Sequence, residues 1–591
     1  MKIVKSAQRS IELLELLAAY PDGLTLSEIA RKMGLANSTA YELVTTMTLS
    51  KYVKADTATK TYRLGSRVLS LAARYLQDAP DFARARQLAD LLMREFHMPV
   101  RIAVLSEDRA LVVREHGFPA SVERAGSADG LGVPADESAL GHALLCFSTE
   151  EERKHFWHRR RQNAGARHER WAVFNRKLDE AAALGLAFDA KELPGFYCIA
   201  VPVVGSGGAV EAAVAVYADK AGTSDSRLKQ LLHRVFELAA ELNGLPRSLP
   251  ASGEGGRDKM IYVSLPNLDS QKALVYLDVL DAEAGREGVQ WLFSDCQDDV
   301  RKQQILLEWV LDTFRPDCAV INPVSAVHSD EVFRLCAGQR VPAICFQRPS
   351  RSRYVDYYVG GDAYEQGVMQ MEYVARRLKG RGNAVILEGD PYNENARNMV
   401  IGYHHVLKRH PGLHLLESVP IPNWGRDEAG QTIADLLERG ERIDAVVAGT
   451  DRMAEGVIEA LRRYKRSGKV FVVGGDGDRS AVRLIRKREQ HATVFQHPVE
   501  AARSVLGAAA ALAHGRPHPR GMVRKNIVHD YPGKEVLALT IPYSFVDAAN
   551  VDELDRYWNA VGAAHLGESG NDADRENAGD PYRTEPDRCG S

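Results

Sequence analysis

The chain has 591 residues, 45% of them hydrophobic and 26% charged, with a formal net charge of −3. This balance is typical of soluble globular proteins, and the length predicts three or four domains. The chain contains no apolar run of about 18 residues, the length that spans a membrane. The N-terminal stretch MKIVKSAQRSIELLELL carries Glu12 and Glu15, which argues against a signal peptide. We therefore expect a cytoplasmic protein.

The cysteines and the short motifs predict no catalytic or metal centre. The seven cysteines are scattered without a C-x-x-C pair: Cys146, Cys198, Cys296, Cys318, Cys336, Cys345 and Cys589. We expect reduced thiols, with no disulfide framework, structural zinc or cofactor. The motifs G-x-x-x-x-G-K-[ST], G-x-S-x-G and H-E-x-x-H are absent, and the loop 474–477 lacks the Lys and Thr of a phosphate loop. We do not expect an enzyme.

A helix-turn-helix pattern lies between Leu24 and Leu64. The first helix ends at Gly34 and the second opens at Asn37. Their apolar faces are Leu26, Ile29, Ala30 and Met33 in the first helix, and Ala40, Leu43, Val44 and Met47 in the second. Strand-like residues 52–53 and 61–64 around the turn-rich segment 56–60 predict a β-hairpin wing.

Two groups of polar side chains in this unit predict an operator DNA partner. On the free face of the second helix, within reach of base edges in the major groove, are Asn37, Ser38, Thr39, Tyr41, Glu42 and Thr45. Suited to phosphates are Lys51, Lys54, Lys60 and Arg63. Residues 1–80 carry 11 Lys and Arg against 7 Asp and Glu, a local positive excess in an acidic chain.

Three segments of the N-terminal unit resemble the IclR (isocitrate-lyase-regulator) family of bacterial regulators. They are SIELL at 10–14, LSEIARKMGLANSTAYELV at 26–44 and YRLGSRVLSLA at 62–72. The resemblance implies a winged helix-turn-helix domain with a linker helix over residues 1–78. The chain departs from the family at Glu42, where a basic or other polar residue is usual. A glutamate there could accept a hydrogen bond from a cytosine amino group, or weaken binding.

Residues 79–245 predict an α+β domain. A helix over 83–96 leads into strands at 101–106 and 110–117, and a second helix over 174–184 precedes strands at 198–204 and 209–217. A closing helix over 226–242 completes the pattern. This segment is similar to the IclR effector-binding domain, whose fold is GAF-like, through ADESALGHALL at 135–145 and LGLAFDAKELPGFYCIAVPVVGSGG at 184–208.

The resemblance implies a small-molecule pocket in this middle domain. Its candidate residues are Ser138, Ala139, Leu140, Gly141, Glu192, Gly195 and Cys198. The same motif also serves as a signature of the fold itself, without a ligand. His142 and Cys198 could suggest a metal or a nucleophile, but a small thiol on an apolar strand is usually packed in the core.

A Pro, Gly and Ser-rich linker at 246–259 separates the middle domain from residues 260–546. In this last region apolar strands alternate with amphipathic helices, which predicts parallel sheets covered on both faces. The expected strands are 260–265, 289–293, 318–321, 343–346, 384–387, 445–447, 470–473 and 493–495. Nearly 290 residues of this pattern imply two lobes, with ligands bound beyond the carboxyl ends of the strands.

Polar residues follow these strands, and Trp424 lies in a loop rich in Pro, Asn and Gly. Paired donors and acceptors beside an indole suit a monosaccharide, because hydroxyls need both and the C–H face stacks on an aromatic ring. The region is similar to periplasmic sugar-binding proteins of the ribose, arabinose and xylose type. The pattern of D-xylose-binding proteins is carried by DYYVGGDAYEQG, GDPYNENAR, PNWGRDEA, IDAVVAGTDRMAEGVIEAL and VFVVGGDGD.

This resemblance implies a set of sugar contacts: Asn267, Arg348, Asn395, Arg397, Trp424, Asp451, Asp476 and Gln496. The chain departs from the family pattern in four places. Gln347 replaces a common Asp, Thr450 replaces a common Asn, Ser270 and Gln271 occupy aromatic positions, and one extra residue precedes Pro498. These departures leave the identity of the sugar open. Asp451 and Asp476 also lie where helix caps lie. We expect residues 547–591, acidic and poor in apolar residues after Trp558, to end in a disordered tail.

The combination predicts a sugar-responsive transcriptional regulator that binds operator DNA as a homodimer or homotetramer and senses a pentose such as xylose. One alternative is a regulator that senses an organic or aromatic acid in the middle domain, with the C-terminal domain as an assembly module. A second is a sugar-binding transport component. An enzyme acting on the sugar is the third, and the sequence names no base, nucleophile or cofactor for it.

Overall fold

The computed structural model describes residues 4–78, 80–118, 132–164, 169–205, 207–243, 259–531 and 535–565. Within them the predicted multidomain fold is confirmed, with a winged helix-turn-helix, an α+β middle domain and a two-lobed α/β domain. Apart from Lys259, the predicted linker lies outside the described residues, as do 566–591 of the expected tail. No helix in the described part of the chain is long and apolar enough to cross a membrane.

The N-terminal unit forms around a small apolar core. Its elements are α1 (Lys5–Ala18), β1 (Leu24–Thr25), α2 (Leu26–Lys32), α3 (Asn37–Leu49), β2 (Val53–Asp56), β3 (Thr61–Leu64) and α4 (Ser66–Asp78). Thr25 and Glu28 form a reciprocal capping box that starts α2, which satisfies two otherwise free backbone donors. Ile29, Val44 and Met47 are buried, as the helical spacing predicts, and β2 pairs with β3 as the expected wing.

The middle domain is a six-stranded antiparallel sheet with helices on both faces. Its elements are α5 (Pro80–Phe96), β4 (Val100–Ser106), β5 (Arg109–His116), β6 (Val133–Pro134), α6 (Ala139–Leu145), α7 (Glu150–Ala164), α8 (Glu169–Leu184), β7 (Ala187–Asp189), β8 (Phe196–Val204), β9 (Val210–Asp219) and α9 (Asp225–Asn243). The strand order is β6-β5-β4-β9-β8-β7. Helices α5 and α9 pack on one face, and α6 packs on the other.

Lobe 1 of the C-terminal domain is built on a seven-stranded sheet of order β11-β10-β12-β13-β14-β21-β20. Its elements are β10 (Lys259–Leu265), α10 (Gln271–Glu283), β11 (Val289–Asp295), α11 (Val300–Thr313), β12 (Cys318–Ile321), α12 (Ser329–Gly338), β13 (Ala343–Phe346) and β14 (Tyr357–Gly360). Two strands from later in the chain, β20 (Val523–Asn526) and β21 (Glu535–Thr540), complete this sheet.

Lobe 2 has a six-stranded sheet of order β16-β15-β17-β18-β19-β22. Its elements are α13 (Ala363–Arg377), β15 (Gly382–Gly389), α14 (Glu394–Arg409), β16 (Leu413–Pro420), α15 (Arg426–Glu438), β17 (Ala445–Ala448), α16 (Asp451–Arg463), β18 (Phe471–Val473), α17 (Arg479–Arg486) and β19 (Ala492–Gln496). The chain then returns to lobe 1 through α18 (Pro498–Ala513), β20 (Val523–Asn526) and β21 (Glu535–Thr540), and ends with β22 (Tyr543–Asp547) and α19 (Val551–His565).

The chain passes between the lobes three times, after β14, after β19 and after β21. The eight strands expected from the sequence are all present, whereas β14, β16 and β20 to β22 escaped the sequence pattern. Helix α19 continues through His565, so the expectation of a disordered tail after Trp558 is wrong for residues 559–565. The Trp558 indole explains the difference, because it is buried and donates to the Gly477 carbonyl at 2.6 Å.

Helix α11 of lobe 1 joins this lobe to the middle domain. Trp309 is fully buried and makes an edge-to-face contact with Phe236 of α9, at 5.6 Å between ring centroids. Asp299, which caps α11, accepts a hydrogen bond from the Tyr197 hydroxyl of β8 at 3.1 Å. On a neighbouring face, Arg176 of α8 forms ion pairs with two carboxylates of α10. One apolar cluster therefore runs through both domains.

Lys302 places a buried cation at the centre of this interface. Its ammonium donates to the Phe188 carbonyl of β7 at 2.6 Å and to Gln297 Oε1 at 3.1 Å. Burial opposes the ionisation of Asp189, but the charges of Lys302 and Lys177 outweigh it and lower the pKa of Asp189 to about 2. A cavity of about 10 Å³, the size of one water molecule, adjoins these groups.

We predict that Lys302→Met destabilises the protein by about 3–5 kcal/mol, because buried carboxylates would lose their cation. Urea denaturation measures this loss. The matched control is Lys259→Met, since Lys259 pairs with Asp317 near the surface with 39% of its side chain exposed, and we expect a loss of about 1 kcal/mol or less. Equal losses in the two variants would contradict the buried role of Lys302.

Candidate functional site

Helix α3 exposes the side chains expected to read DNA. Tyr41 is 56% exposed, and Asn37, Ser38 and Glu42 are also exposed, whereas Thr39 and Thr45 are partly buried. The side of α3 opposite to them, formed by Ala40, Val44 and Met47, is buried in the unit. A face of this kind, free along one helix, is the geometry that enters a major groove.

The wing brings positive charges together. Lys54 and Arg63 are cross-strand partners, and both are exposed. Two like charges directly opposite each other destabilise a hairpin unless a counter-charge binds them, and a phosphate group is one such counter-charge. Lys51 and Lys60 lie at turns with φ of 62° and 54°, exposed at the two ends of the hairpin.

The cleft between the two lobes gathers most of the other predicted residues at the carboxyl ends of parallel strands. Asn267 follows β10, Arg348 follows β13, and Asn395 lies in the first turn of the helix after β15. Asp476 follows β18, and Gln496 ends β19. The Gln496 side chain is 3% exposed, and its Nε2 lies 3.4 Å from the Ile541 carbonyl at a lobe crossing. Asn267 Nδ2 donates to both oxygens of Asp298 at 2.8 Å.

Trp424 is held over two glycines by its loop. A Cβ on Gly389 would lie 2.1 Å from the indole Cζ3, and one on Gly449 would lie 2.8 Å from the same atom. Asn423 and Trp424 have backbone φ angles of 53° and 54°, which residues other than glycine rarely adopt. Asp390 fixes the strained loop, because its Oδ2 accepts the Asn423 N–H at 2.8 Å. Such strain concentrates at ligand sites.

Four buried polar atoms at the cleft have no hydrogen-bond partner among the described residues. They are Gln271 Oε1, Asn322 Oδ1, Gln347 Nε2 and Asn395 Oδ1. Buried polar groups in folded proteins are nearly always paired, so these four atoms are available to pair with a bound molecule. Three are acceptors and one is a donor, a set that hydroxyl groups can satisfy because each hydroxyl donates and accepts.

Contacts between the lobes show that the cleft is closed. Lys272 Nζ of lobe 1 lies 2.6 Å from Asp476 Oδ1 of lobe 2, and Asn395 Nδ2 donates to the Gln347 carbonyl at 3.1 Å. At the rim, Arg351 Nε lies 2.7 Å from Glu394 Oε1. Burial opposes the charged form of Lys272, but Asp476 outweighs it and raises the pKa of Lys272 above its usual value.

Arg348 is a cation without a carboxylate partner at ion-pair distance among the described residues. Its Nη1 donates to the carbonyls of Pro323 and Val324 at 3.1 and 3.2 Å. Burial lowers the pKa of Arg348 below its usual value, although Asp298, Asp390 and Asp476 oppose the shift. The guanidinium is thus fixed by backbone at the closed cleft.

Two of the residues predicted to bind sugar are engaged elsewhere. Asp451 is fully buried, and its carboxylate accepts from the Asp478 N–H at 2.9 Å, from Gln490 at 2.6 Å and from Thr493 at 2.9 Å. Burial and the charge of Asp478 raise its pKa. Arg397 is exposed and binds Asp530 at 2.6 Å. The structure therefore gives Asp451 a role in fixing the loop before α17, and Arg397 a surface ion pair.

Sequence reasoning missed four residues that the structure brings to the cleft. Gln271 and Gln347 entered the sequence analysis only as departures from a family pattern, and Lys272 was not considered. Asn322 directly follows β12, which is the same signal that identified the other strand-end residues. The sequence carries no comparable signal for Lys272, because its role depends on where lobe 2 places Asp476.

The predicted middle-domain pocket is a hydrogen-bonded cluster around Glu192. Its Oε2 accepts the Ala139 N–H at 2.8 Å, and its Oε1 accepts the fully buried Tyr217 hydroxyl at 3.1 Å. Ser138 caps α6 through the Gly141 N–H. Leu140 and Cys198 are buried beside this cluster, whereas Gly195 lies apart on an exposed turn.

His142 and Cys198 show the properties of core residues. Burial lowers the pKa of His142 to about 4, and its Nε2 lies 3.1 Å from the Asp136 carbonyl. Burial raises the pKa of the Cys198 thiol. No grouping of three metal-binding side chains occurs in the described part of the chain. Six cysteines are buried and form no disulfide among the described residues, and Cys589 lies outside them.

Comparison with known proteins agrees with this division of the chain. The IclR helix-turn-helix domain matches residues 6–57, the C-terminal domain of IclR bacterial transcriptional regulators matches 73–243, and a periplasmic binding protein domain matches 261–517. The glycerol operon regulatory protein of Streptomyces coelicolor is 31% identical over 208 residues, which is 34% of this chain and 79% of that protein.

Two further relatives match the C-terminal domain. The ribose import binding protein of Bacillus subtilis is 25% identical over 268 residues, which is 45% of this chain and 86% of that protein. The D-xylose-binding periplasmic protein of Escherichia coli is 25% identical over 222 residues, 37% of this chain and 67% of that protein. Fold and matches together define a transcriptional regulator with an added periplasmic-binding-protein domain. The chain belongs to the IclR family.

We predict that Gly389→Ala displaces the Trp424 indole and destabilises the protein by about 2–4 kcal/mol, the sum of backbone strain and overpacking. Urea denaturation and ¹⁹F NMR of protein labelled with 5-fluorotryptophan measure the two effects, with Trp424→Phe assigning the resonance. Gly440→Ala is the matched control, since Gly440 has φ of 80° and open space around it. It should lose only about 1–2 kcal/mol. An unmoved Trp424 resonance in Gly389→Ala would refute the contact.

Proposed function

We propose that the protein is a sugar-responsive transcriptional regulator, which binds operator DNA through α3 and the wing and senses a monosaccharide in the interlobe cleft. The proposal places it in the cytoplasm with its operator. The observation that carries it is the set of unpartnered buried polar atoms at the closed cleft, beside the strained Trp424. Hydroxyl groups would pair with these atoms, while the indole covers a C–H face of the ring.

A pentose is the ligand class that the proposal favours. The ribose and D-xylose binding proteins among the relatives are named for pentoses. The proposed contacts are Asn267, Gln271, Asn322, Gln347, Arg348, Asn395, Trp424, Asp476 and Gln496. Arg397 would join them only by leaving Asp530, and Asp451 would support the loop that carries Asp476.

Sugar binding would change DNA affinity by stabilising the closed form of the lobes. Because lobe 1 packs on the middle domain through α11, closure would move lobe 2 relative to the rest of the chain. In a homodimer or homotetramer, recognition helices must match grooves about 34 Å apart, so a small displacement alters affinity. A coupling of about 1–3 kcal/mol, roughly 5- to 150-fold, is the ordinary range.

An acid-sensing middle domain remains the second candidate. The observation in its favour is the buried cluster of Ser138, Ala139 and Glu192 at the start of α6. Here Glu192 already satisfies the Ala139 N–H, so an acid ligand would have to displace a carboxylate of the protein itself. The C-terminal domain would then act in assembly.

We predict that titration calorimetry detects binding of a pentose to the protein. Trp424→Ala and Asn395→Ala should each weaken the affinity for the pentose at least about tenfold, or about 1.4 kcal/mol of binding free energy. The ligands to test are D-xylose, D-ribose, D-glucose, glycerol and benzoate. Asn383→Ala is the matched control, because Asn383 lies at the opposite end of β15 and binds the Arg442 carbonyl. Binding of benzoate alone, unchanged in the Trp424 and Asn395 variants, would move the sensor to the middle domain.

We predict that Lys54→Gln weakens binding to all duplexes alike and lowers the slope of log K against log salt by about 0.9, the loss of one phosphate contact. Tyr41→Ala should instead change which sequences are selected from a random duplex library. Fluorescence anisotropy measures the first effect and sequencing of the selected duplexes measures the second, with Lys154→Gln of the middle domain as the control for both. If Lys54→Gln and Lys154→Gln behave alike, the wing does not contact DNA.

A further inference from the structure

The positive charge of the C-terminal domain is concentrated at one edge of lobe 2. Strands β15 to β19 of this lobe are parallel, so their amino ends share one edge and their carboxyl ends face the cleft. The segments that lead from each helix into the next strand therefore lie together at the edge away from the cleft. We name this the distal edge: residues 376–381, 408–412, 437–444, 462–470 and 485–491.

The distal edge carries 16 Lys and Arg residues against 4 Asp and Glu, in a chain whose net charge is −3. Its excess is larger than that of residues 1–80, which hold the winged helix and carry 11 basic and 7 acidic residues. All the cations are exposed except Arg466, which is partly buried. The distal edge therefore creates a strong positive electrostatic potential on a protein whose net charge is negative.

Helix dipoles do not account for this charge. Basic residues are favoured at helix C-termini because the dipole is negative there. Lobe 1 offers an internal comparison, since α10, α11 and α12 also end at the amino edge of a parallel sheet. Its corresponding segments, 282–288, 312–317 and 337–342, carry 3 basic and 4 acidic residues. The same dipoles thus accompany opposite charge balances in the two lobes.

Most of these cations are also not neutralised by a carboxylate of the described residues. Eleven form no ion pair with any described residue: Arg376, Arg377, Lys379, Arg381, Lys408, Arg463, Lys465, Arg466, Lys469, Lys487 and Arg488. Unpaired like charges on one surface repel one another and are stabilised by a polyanion. Duplex DNA, with one phosphate charge per about 1.7 Å of axis, supplies the densest such partner.

We propose that the distal edge of lobe 2 is a second DNA-binding surface, which contacts the phosphate backbone without reading sequence. The proposal rests on the DNA-binding part of the proposed function. It adds to the winged helix an electrostatic contact on the lobe that moves when the cleft closes. Sugar binding then changes the position of one DNA contact relative to the other.

The test is fluorescence anisotropy of the full chain on a duplex of about 60 base pairs, roughly 200 Å long at 3.4 Å per pair. One variant replaces Arg463, Lys465, Lys469 and Lys487 with Gln. The matched control replaces four exposed arginines of lobe 1, Arg286, Arg334, Arg340 and Arg353, with Gln. Both variants lose four positive charges from the C-terminal domain, so net charge is the same.

We expect the lobe 2 variant to bind at least tenfold more weakly at low salt, with its slope of log K against log salt lowered by about 3 to 4. The lobe 1 control should behave like the wild-type chain. Equal salt slopes for the two variants would overturn the proposal. So would a lobe 2 variant that keeps its DNA affinity but loses binding to poly-glutamate, which would assign the surface to an acidic protein.

Two measurements separate this result from failure of the proposed function. Sugar titration of the lobe 2 variant should match that of the wild-type chain, which shows that its cleft is intact. Lys54→Gln should still lower the salt slope in the lobe 2 background, because the wing makes its own phosphate contact. If neither wing nor distal edge affects DNA binding, the proposed function itself fails along with the second surface.

Discussion

The packing of helix α11 against the middle domain is the constraint on which the arrangement of the other parts depends. Its Trp309 lies between aromatic side chains of both domains, and its Lys302 supplies the cation for buried carboxylates. Separating this buried cation from its partners would leave uncompensated charge, which costs about 3–5 kcal/mol. Lobe 1 and the middle domain therefore pack as one body around a shared apolar cluster. Any closure of the cleft is a movement of lobe 2 against this body.

This division gives the two edges of the lobe 2 sheet different roles. The carboxyl edge carries Asn395 and Asp476 to the cleft, where they meet Gln347 and Lys272 of lobe 1. The amino edge carries the cations of the proposed second DNA surface. Because both edges belong to one rigid sheet, a ligand that fixes the first also fixes the second. Under the proposed function the middle domain would transmit this movement to the winged helix, and hydrogen bonds around Glu192 tie α6 to β9 in its core.

Much of the fold and part of the site could be predicted from the sequence. Helical spacing in α2 and α3 and the strand runs of both lobes follow from local periodicity, which a single chain displays directly. The rule that polar residues after a buried strand mark a ligand site drew attention to the segment of Asn395, whereas the resemblance to D-xylose-binding proteins named Asn395 and Trp424 as contacts. Asp451 followed the same rule and proved to be a buried hydrogen-bond acceptor. The rule identifies the edge of a sheet, and not whether a side chain there faces ligand or protein.

The sequence by itself determined the order of domains, the strands that make the cleft and the charge of each segment, because these depend on residue type and spacing along the chain. Only the tertiary structure decided which charges meet. Lys272 and Asp476 are 204 residues apart and touch because two lobes close on each other. The distal edge has the same origin, since five short basic segments form one surface only when parallel strands align their amino ends. Contacts between distant segments depend on packing, which no local pattern encodes.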